Sequence, residues 1–140
     1  MLIGQNVHTI DEKCRIVMPS SYREELGEKI YLTKDPLENA ILGYNAKEWS
    51  VMAEKISSYS LLDGSVIQRS ILGNAVEASI DKQGRMVIPP SLREKVMLDR
   101  EIVIVGAVKR IEIWNFKDWQ ALQGSVTKEQ MLKAMSETGF

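Results

Sequence analysis

His8–Leu26, HTIDEKCRIVMPSSYREEL, returns 70 residues later as Ala78–Val96, ASIDKQGRMVIPPSLREKV. Eight of the 19 aligned positions are identical: Ile10/Ile80, Asp11/Asp81, Arg15/Arg85, Val17/Val87, Pro19/Pro89, Ser21/Ser91, Arg23/Arg93 and Glu24/Glu94. The register runs on, since Tyr44-Asn45-Ala46-Lys47-Glu48-Trp49 aligns with Trp114-Asn115-Phe116-Lys117-Asp118-Trp119. A chain that writes one supersecondary unit twice is expected to fold as two similar halves about a pseudo-two-fold axis. Such a molecule presents two equivalent loops, and the functional question is what they grip.

Each copy opens with a β-like run, Val7–Ile10 or Val76–Ile80, and in the second copy Val76, Ala78 and Ile80 alternate with polar residues. A polar break follows, Asp11–Cys14 or Asp81–Gly84, and then Arg15 or Arg85 leads into Ile16–Met18 or Met86–Ile88. This pattern predicts a β-hairpin in each half, with Gly84 supplying the residue that tolerates positive φ. Pro19 and Pro89 should end the second strand, because proline cannot donate to a ladder. The spacings Ser21…Glu24 and Ser91…Glu94 predict capping boxes opening short helices. A further hairpin is predicted in each half, pairing Ile30–Thr33 with Ile41–Tyr44 and Glu101–Val105 with Ile111–Trp114. Asn45 and Asn115 then sit three residues before Glu48 and Asp118, as N-caps of helices carrying Trp49 and Trp119.

Between the halves, Ser57–Ser60 and Asp63–Ser65 read as breaks and Val66–Leu72 as a helix crossing to the second unit. The tail Thr127–Ser136 reads as a terminal helix whose stripe of Met131, Leu132 and Met135 suits core or subunit contact. The organisation expected is one α+β, β-rich domain with repeats at about 5–56 and 75–126. A helical linker, 57–74, joins them, and a C-terminal helix occupies 127–140.

At 140 residues, each half alone is near the size where a core is marginal, so the halves should share one core. A hydrophobic content of 44% with 26% charged residues is that of a soluble globular protein. No segment approaches the ~20 apolar residues of a membrane span, and the N-terminus lacks the pattern of a signal peptide. The single cysteine, Cys14, offers no disulfide framework and points to a reducing cytosol. With His8 the only histidine, there is no cluster for a metal and no base for nucleophilic catalysis. Neither an enzyme nor a cofactor or small-molecule substrate is expected. The net charge of −1 argues against a uniformly basic DNA binder. The charge is uneven, however: His8–Leu26 sums to −1 and Ala78–Val96 to +2.

The repeated chemistry is Asp-x-x-x-Arg-x-x-x-Pro: Asp11/Arg15/Pro19 and Asp81/Arg85/Pro89. An arginine on a rigid hairpin tip can enter the major groove and pair bidentately with guanine O6 and N7. Lys13 or Lys82 would meet phosphates and set register. The bland alternative for Arg15 and Arg85 is a hairpin ion pair to Asp11 and Asp81. Arg23 and Arg93, early on their helices, are poorly placed for the helix dipole and call for a specific partner, an internal carboxylate before a phosphate. Trp49, Trp114 and Trp119 read as core. Cys14, between Lys13 and Arg15, reads as a tolerated substitution rather than a redox switch.

These motifs, their spacing and the chain length resemble the MraZ family, grouped with the AbrB-like double-split (swapped-hairpin) β-barrel DNA binders. The resemblance covers Gly4 to about Trp119. It implies a bacterial transcriptional regulator of cell-division and cell-wall genes, cytoplasmic and nucleoid-associated. The expected partners are double-stranded DNA carrying repeated promoter elements and further copies of the chain in a homo-oligomeric ring. Position by position, it makes Arg15 and Arg85 the principal DNA contacts, helped by Lys13 in the first copy. Gln83 holds the matching slot in the second copy, where Lys82 must supply the charge. Asp11 and Asp81 become loop-structuring residues together with Gly84, Pro19 and Pro89. Cys14 departs from the family glycine, and a residue with a Cβ resists positive φ. A rival from another class is an AbrB-like protein-interaction or antitoxin-type assembly module. A small hydrolase is a third class, without a motif to carry it.

Overall fold

The structure, a computed structural model, describes residues 1–140. The strands are β1 (Gln5–Thr9), β2 (Arg15–Val17), β3 (Lys29–Lys34), β4 (Ala40–Asn45), β5 (Val76–Ser79), β6 (Arg85–Val87), β7 (Glu101–Gly106) and β8 (Ile111–Asn115). The helices are α1 (Ser20–Leu26), α2 (Ala46–Ser57), α3 (Leu61–Ile67), α4 (Pro90–Lys95), α5 (Phe116–Ser125) and α6 (Lys128–Thr138). One wide π-helical stretch, Gln68–Leu72, prolongs α3.

Six strands form one antiparallel sheet in the order β1-β7-β8-β4-β3-β5, and β2 and β6 form a separate two-stranded ribbon. The hairpins β3–β4 and β7–β8 form where the sequence places them. The first hairpin of each unit does not form as expected. Its turn is tight, with Asp11 N–H donating to Arg15 O at 3.0 Å and Asp81 N–H to Arg85 O at 2.9 Å. The strands beyond then separate and pair across the repeats, β1 with β7, β5 with β3, and β2 with β6. Shared burial favours this exchange. Ile16 and Met86, at the centres of two three-residue strands, become a single lid over a core to which both halves contribute. The sheet stays open at β1 and β5, so the expected closed barrel is not found.

Alternation along the strands sorts the sheet into two faces. One face carries Ile30, Leu32, Ile41, Ile102, Ile104, Ile111 and Ile113, which pack with Ile16, Met18, Met86, Ile88 and the helix residues Tyr22, Leu26, Leu92 and Val96. Gly43 lies on this face because a Cβ there would come within 2.8 Å of Ile111. The other face is covered by helices: Trp49 of α2 stacks on Tyr31 at 5.5 Å, and Trp119 of α5 tilts against Trp114 at 5.6 Å. Thr33, fully buried, donates to Ile71 O at 2.6 Å and ties the π-helical stretch to this face. The ribbon and the large helices therefore lie on opposite sides of the sheet.

Several local expectations are corrected. The capping boxes at Ser21 and Ser91 are not made; α1 and α4 start at Ser20 and Pro90 with Pro19 and Pro89 in the cap position. Proline's fixed φ preorganises that start one or two residues early, which leaves both serines inside the first turn. Asn45 does cap α2, accepting from Glu48 N–H at 2.8 Å. Asn115 does not cap α5, because its Oδ1 accepts from Asp99 N–H and its Nδ2 donates to Met97 O. Asp63–Ser65 lie within α3 rather than breaking it; Gly64 is buried where a Cβ would sit 3.3 Å from Tyr59, so its smallness serves packing. The terminal stripe is not core either, since Met131 is 50% and Leu132 57% exposed.

Candidate nucleic-acid interface

The two motif turns are built alike. Asp11 Oδ1 accepts from the backbone N–H of Lys13 and of Arg15, each at 2.9 Å, while Oδ2 accepts from Arg15 Nε at 2.8 Å. Asp81 repeats this with Gln83 and Arg85 N–H at 2.9 Å and Arg85 Nε at 3.0 Å. One carboxylate thus closes the turn and aims the guanidinium. The backbone N–H of Arg15, assisted by its side chain and by Lys13 N–H, holds the Asp11 carboxyl below the usual range, and Arg85 and Gln83 do the same for Asp81. The ion pairs of the bland reading exist, yet they engage only Nε. The terminal amino groups of Arg15 and Arg85 have no partner in the chain and remain available for a bidentate contact.

β2 and β6 place these arginines on one surface. Arg15 pairs with Val87, Ile16 with Met86, and Val17 with Arg85. Ile16 and Met86 point into the core, so Arg15, Val17, Arg85 and Val87 share the outer face, with Val17 46% and Val87 50% exposed. The arginines are diagonal neighbours across the ribbon, about 7–8 Å apart by strand geometry. Lys13 and Lys82 stand exposed on the turns at opposite ends, neither in an ion pair. Glu12 occupies the register position of Lys82, which makes the first turn the less cationic.

Each turn is locked by the other repeat. Met18 N–H donates to Gly84 O at 2.7 Å, and Ile88 N–H to Cys14 O at 2.8 Å. Arg23 donates from Nε to Met18 O at 2.9 Å, and its guanidinium fills the space over Gly84, where a Cβ would lie 2.1 Å from Cζ. Arg93 donates from Nε to Leu98 O at 3.1 Å and from Nη1 to Cys14 Sγ at 3.2 Å. Their partners are therefore carbonyls of their own repeats and, for Arg93, the Cys14 thiol of the opposite turn, not the carboxylates expected. Cys14 takes φ +58° and Gly84 φ +82°. The first turn keeps its shape without glycine, with Cys14 N–H donating to Asp11 O at 3.1 Å against 2.9 Å for Gly84 and Asp81.

Reading the sequence brought out Arg15, Arg85, Lys13, Lys82 and the loop-structuring Asp11, Asp81, Gly84, Pro19 and Pro89, and the fold gathers them around the ribbon. Val17 and Val87 were missed as surface residues, although the shared Arg-x-Val in both copies was a usable signal. The inter-repeat clamp of Arg23 and Arg93 was also missed, and no local pattern discloses it. A cavity of about 1030 Å³ lies beside the first turn, lined by Cys14 and Arg93 together with Met97, Asp99, Arg100 and Lys117. It shares only the clamp with the ribbon. No group of three or more His, Cys, Asp or Glu side chains could hold a metal ion, and no helix is long and apolar enough to cross a membrane.

Comparison with known proteins accords with this duplicated geometry. The family model described as "MraZ protein, putative antitoxin-like" matches the chain twice, over residues 1–65 and 71–139. The chain belongs to the MraZ family. It is 43% identical to the transcriptional regulator MraZ of Caldicellulosiruptor saccharolyticus, with all of both chains covered. The MraZ regulator of Clostridium tetani is 39% identical, again over the whole of both chains. That of Caldanaerobacter subterraneus subsp. tengcongensis is 42% identical, over 86% of this chain and 85% of its own. The two family matches coincide with the two turns, so each MraZ repeat carries one Asp–Arg pair and one strand of the ribbon.

Proposed function

We propose that the chain is a transcriptional regulator that reads double-stranded DNA through the outer face of the β2–β6 ribbon. The observation that carries the reading is the diagonal placement of Arg15 and Arg85, each steered by an aspartate at Nε with its terminal amino groups free. A two-stranded ribbon fits the major groove, and paired arginines there recognise guanine O6 and N7. Their separation of about 7–8 Å matches roughly two base steps of 3.4 Å, so both arginines would read one short element. Val17 and Val87 would contact thymine methyl groups between them, and Lys13 and Lys82 would meet flanking phosphates.

One ribbon of this size binds weakly. Affinity comes from several copies of the chain, arranged as a homo-oligomeric ring, engaging repeated promoter elements at high effective concentration. Repression follows where the occupied repeats exclude polymerase, and division and cell-wall genes in the nucleoid are the expected targets. The repeats at about 5–56 and 75–126, with the linker 57–74 and the helix 127–140, act as one domain in this scheme. Capture and sequencing of genomic fragments bound by the protein should return a short element repeated at fixed spacing. An unenriched sample, or equal enrichment by an Arg15→Ala/Arg85→Ala variant, would refute the reading.

A second reading, an antitoxin-type assembly module, is favoured by the antitoxin-like character ascribed to the family. Protein binding there would not carry the log–log salt slope of about −0.9 per neutralised phosphate that DNA binding requires.

A further inference from the structure

The repeats part company after their short helices. Ile30 pairs with Asn45 and Ile102 with Asn115, so these positions are equivalent, as are Leu26 and Val96 at the helix ends. The stretch Val96–Ile102 is therefore two residues longer than its counterpart Leu26–Ile30. The longer stretch walls the cavity of about 1030 Å³ beside the first motif turn. Beside the second turn, the equivalent place at Glu28, Ile80, Asp81 and Lys82 holds a hollow of about 310 Å³. Asn115 fixes the wall by accepting from Asp99 N–H and donating to Met97 O. Met97 takes φ +48° and is 74% exposed, at the register position where the first repeat has Gly27 at φ +76°. A side chain in that conformation is strained, and here the strain sets an apolar group on a cavity lining instead of in the core.

We propose that this cavity binds a short peptide with free ends and apolar side chains, about two to four residues long. The charge of the lining selects that class. Arg93, Arg100 and Lys117 line it together with Glu94, Asp99 and Glu101, and none of these is in an ion pair. Asp118 lines it too, but its Oδ2 accepts from the amides of Asn39 and Asn115, each at 3.3 Å. Unpaired cations and carboxylates in equal number suit a ligand bearing both charges. They disfavour a polyanion such as a nucleotide, which the carboxylates would repel. The peptide carboxylate has a prepared donor. Half-buried Arg93 is held by Nε on Leu98 O and Nη1 on Cys14 Sγ, which leaves Nη2 without a partner. The ammonium end would meet the carboxylates of Glu94, Asp99 or Glu101, and Met97 and Phe116 offer apolar surface to the side chains. Because the Arg93 guanidinium also holds Cys14, occupancy would be felt at the turn that carries Arg15.

Isothermal titration calorimetry of the full chain with Leu-Leu-Leu tests this without DNA, so its outcome is separate from that of the ribbon reading. Saturable binding below about 1 mM is expected. N-acetyl-Leu-Leu-Leu and Leu-Leu-Leu-amide, each lacking one charged end, should bind about tenfold more weakly. Gly-Gly-Gly and free leucine should also bind more weakly, and ATP should not bind. Arg100→Glu/Lys117→Glu, at exposed positions, should lose the tripeptide. Met97→Gly should bind it about tenfold more weakly yet melt at a higher temperature, since glycine relieves the positive φ. No saturable binding of Leu-Leu-Leu would overturn the proposal, as would undiminished binding of a blocked peptide or by the Arg100→Glu/Lys117→Glu variant. Tighter binding of leucine or of ATP than of the tripeptide would refute the peptide assignment. Should the glutamate variant unfold by circular dichroism, the blocked peptides on wild type decide alone.

Discussion

Gly84→Ala tests whether the inter-repeat clamp is a real determinant of the turn. Two costs follow from the geometry. Alanine at φ +82° carries left-handed strain of about 1–2 kcal/mol. The new Cβ would fall 2.1 Å from Arg23 Cζ, so the guanidinium must leave. It would then lose its hydrogen bond to Met18 O, a loss of about 1–2 kcal/mol for a partly solvated charged donor. The sum, about 3 kcal/mol, should lower the melting temperature of a domain this size by roughly 10 °C. Urea unfolding of Gly84→Ala, Arg23→Ala and the double variant measures both parts. In the Arg23→Ala background the glycine substitution should retain only its strain, leaving a coupling of about 1–2 kcal/mol. A Gly84→Ala variant within about 0.5 kcal/mol of wild type, or additive single effects, would refute the clamp.

Cys14→Gly, at the equivalent position, should lie within about 1 kcal/mol of wild type, because relief of positive φ offsets the lost Arg93–Sγ contact; a larger change in urea unfolding would count against the pseudo-symmetric reading. Asp11 and Asp81 have carboxyls lowered from 3.8, so their stabilising contribution is complete above that value and declines as pH falls through the lower folded values. An Asp11→Asn/Asp81→Asn variant should therefore lose stability at neutral pH and show a flatter acid limb than wild type in pH-dependent unfolding. Thr33→Val should cost about 1–2 kcal/mol in thermal unfolding by leaving Ile71 O unpaired. Arg85→Ala should weaken promoter binding more than Arg15→Ala, since the second turn has Lys82 where the first has Glu12; equal losses in a gel-shift titration would contradict this.

What could be read from the chain was what adjacent residues decide. The repeat itself, the Asp-initiated turns, the strand stops at Pro19 and Pro89, and the hairpins β3–β4 and β7–β8 are all local. Strand exchange is not local. β1 and β5 carry the same alternation whether they pair within their unit or across it, and only burial of Ile16 and Met86 in a shared core selects the second. The caps at Ser21 and Ser91 failed because the prolines before them set the helix start first. Asn115 had the right spacing yet was taken by Asp99 and Met97. At the site, the arginines and aspartates were legible as a motif, but their union on a single ribbon was not. Likewise Arg23 and Arg93 gave a correct signal, a cation needing a partner, without disclosing that Arg23 bonds Met18 O of its own repeat while covering Gly84, or that Arg93 reaches Cys14 of the opposite turn.

The most direct test is the salt dependence of affinity for a DNA fragment carrying the captured element, measured by fluorescence anisotropy for wild type and for Arg15→Ala/Arg85→Ala. Wild type should weaken steeply with salt, at about −0.9 per phosphate neutralised in log–log form, and the double variant should lose its preference for the element over scrambled sequence. Identical affinity and identical discrimination in the two proteins would show that the ribbon does not read DNA.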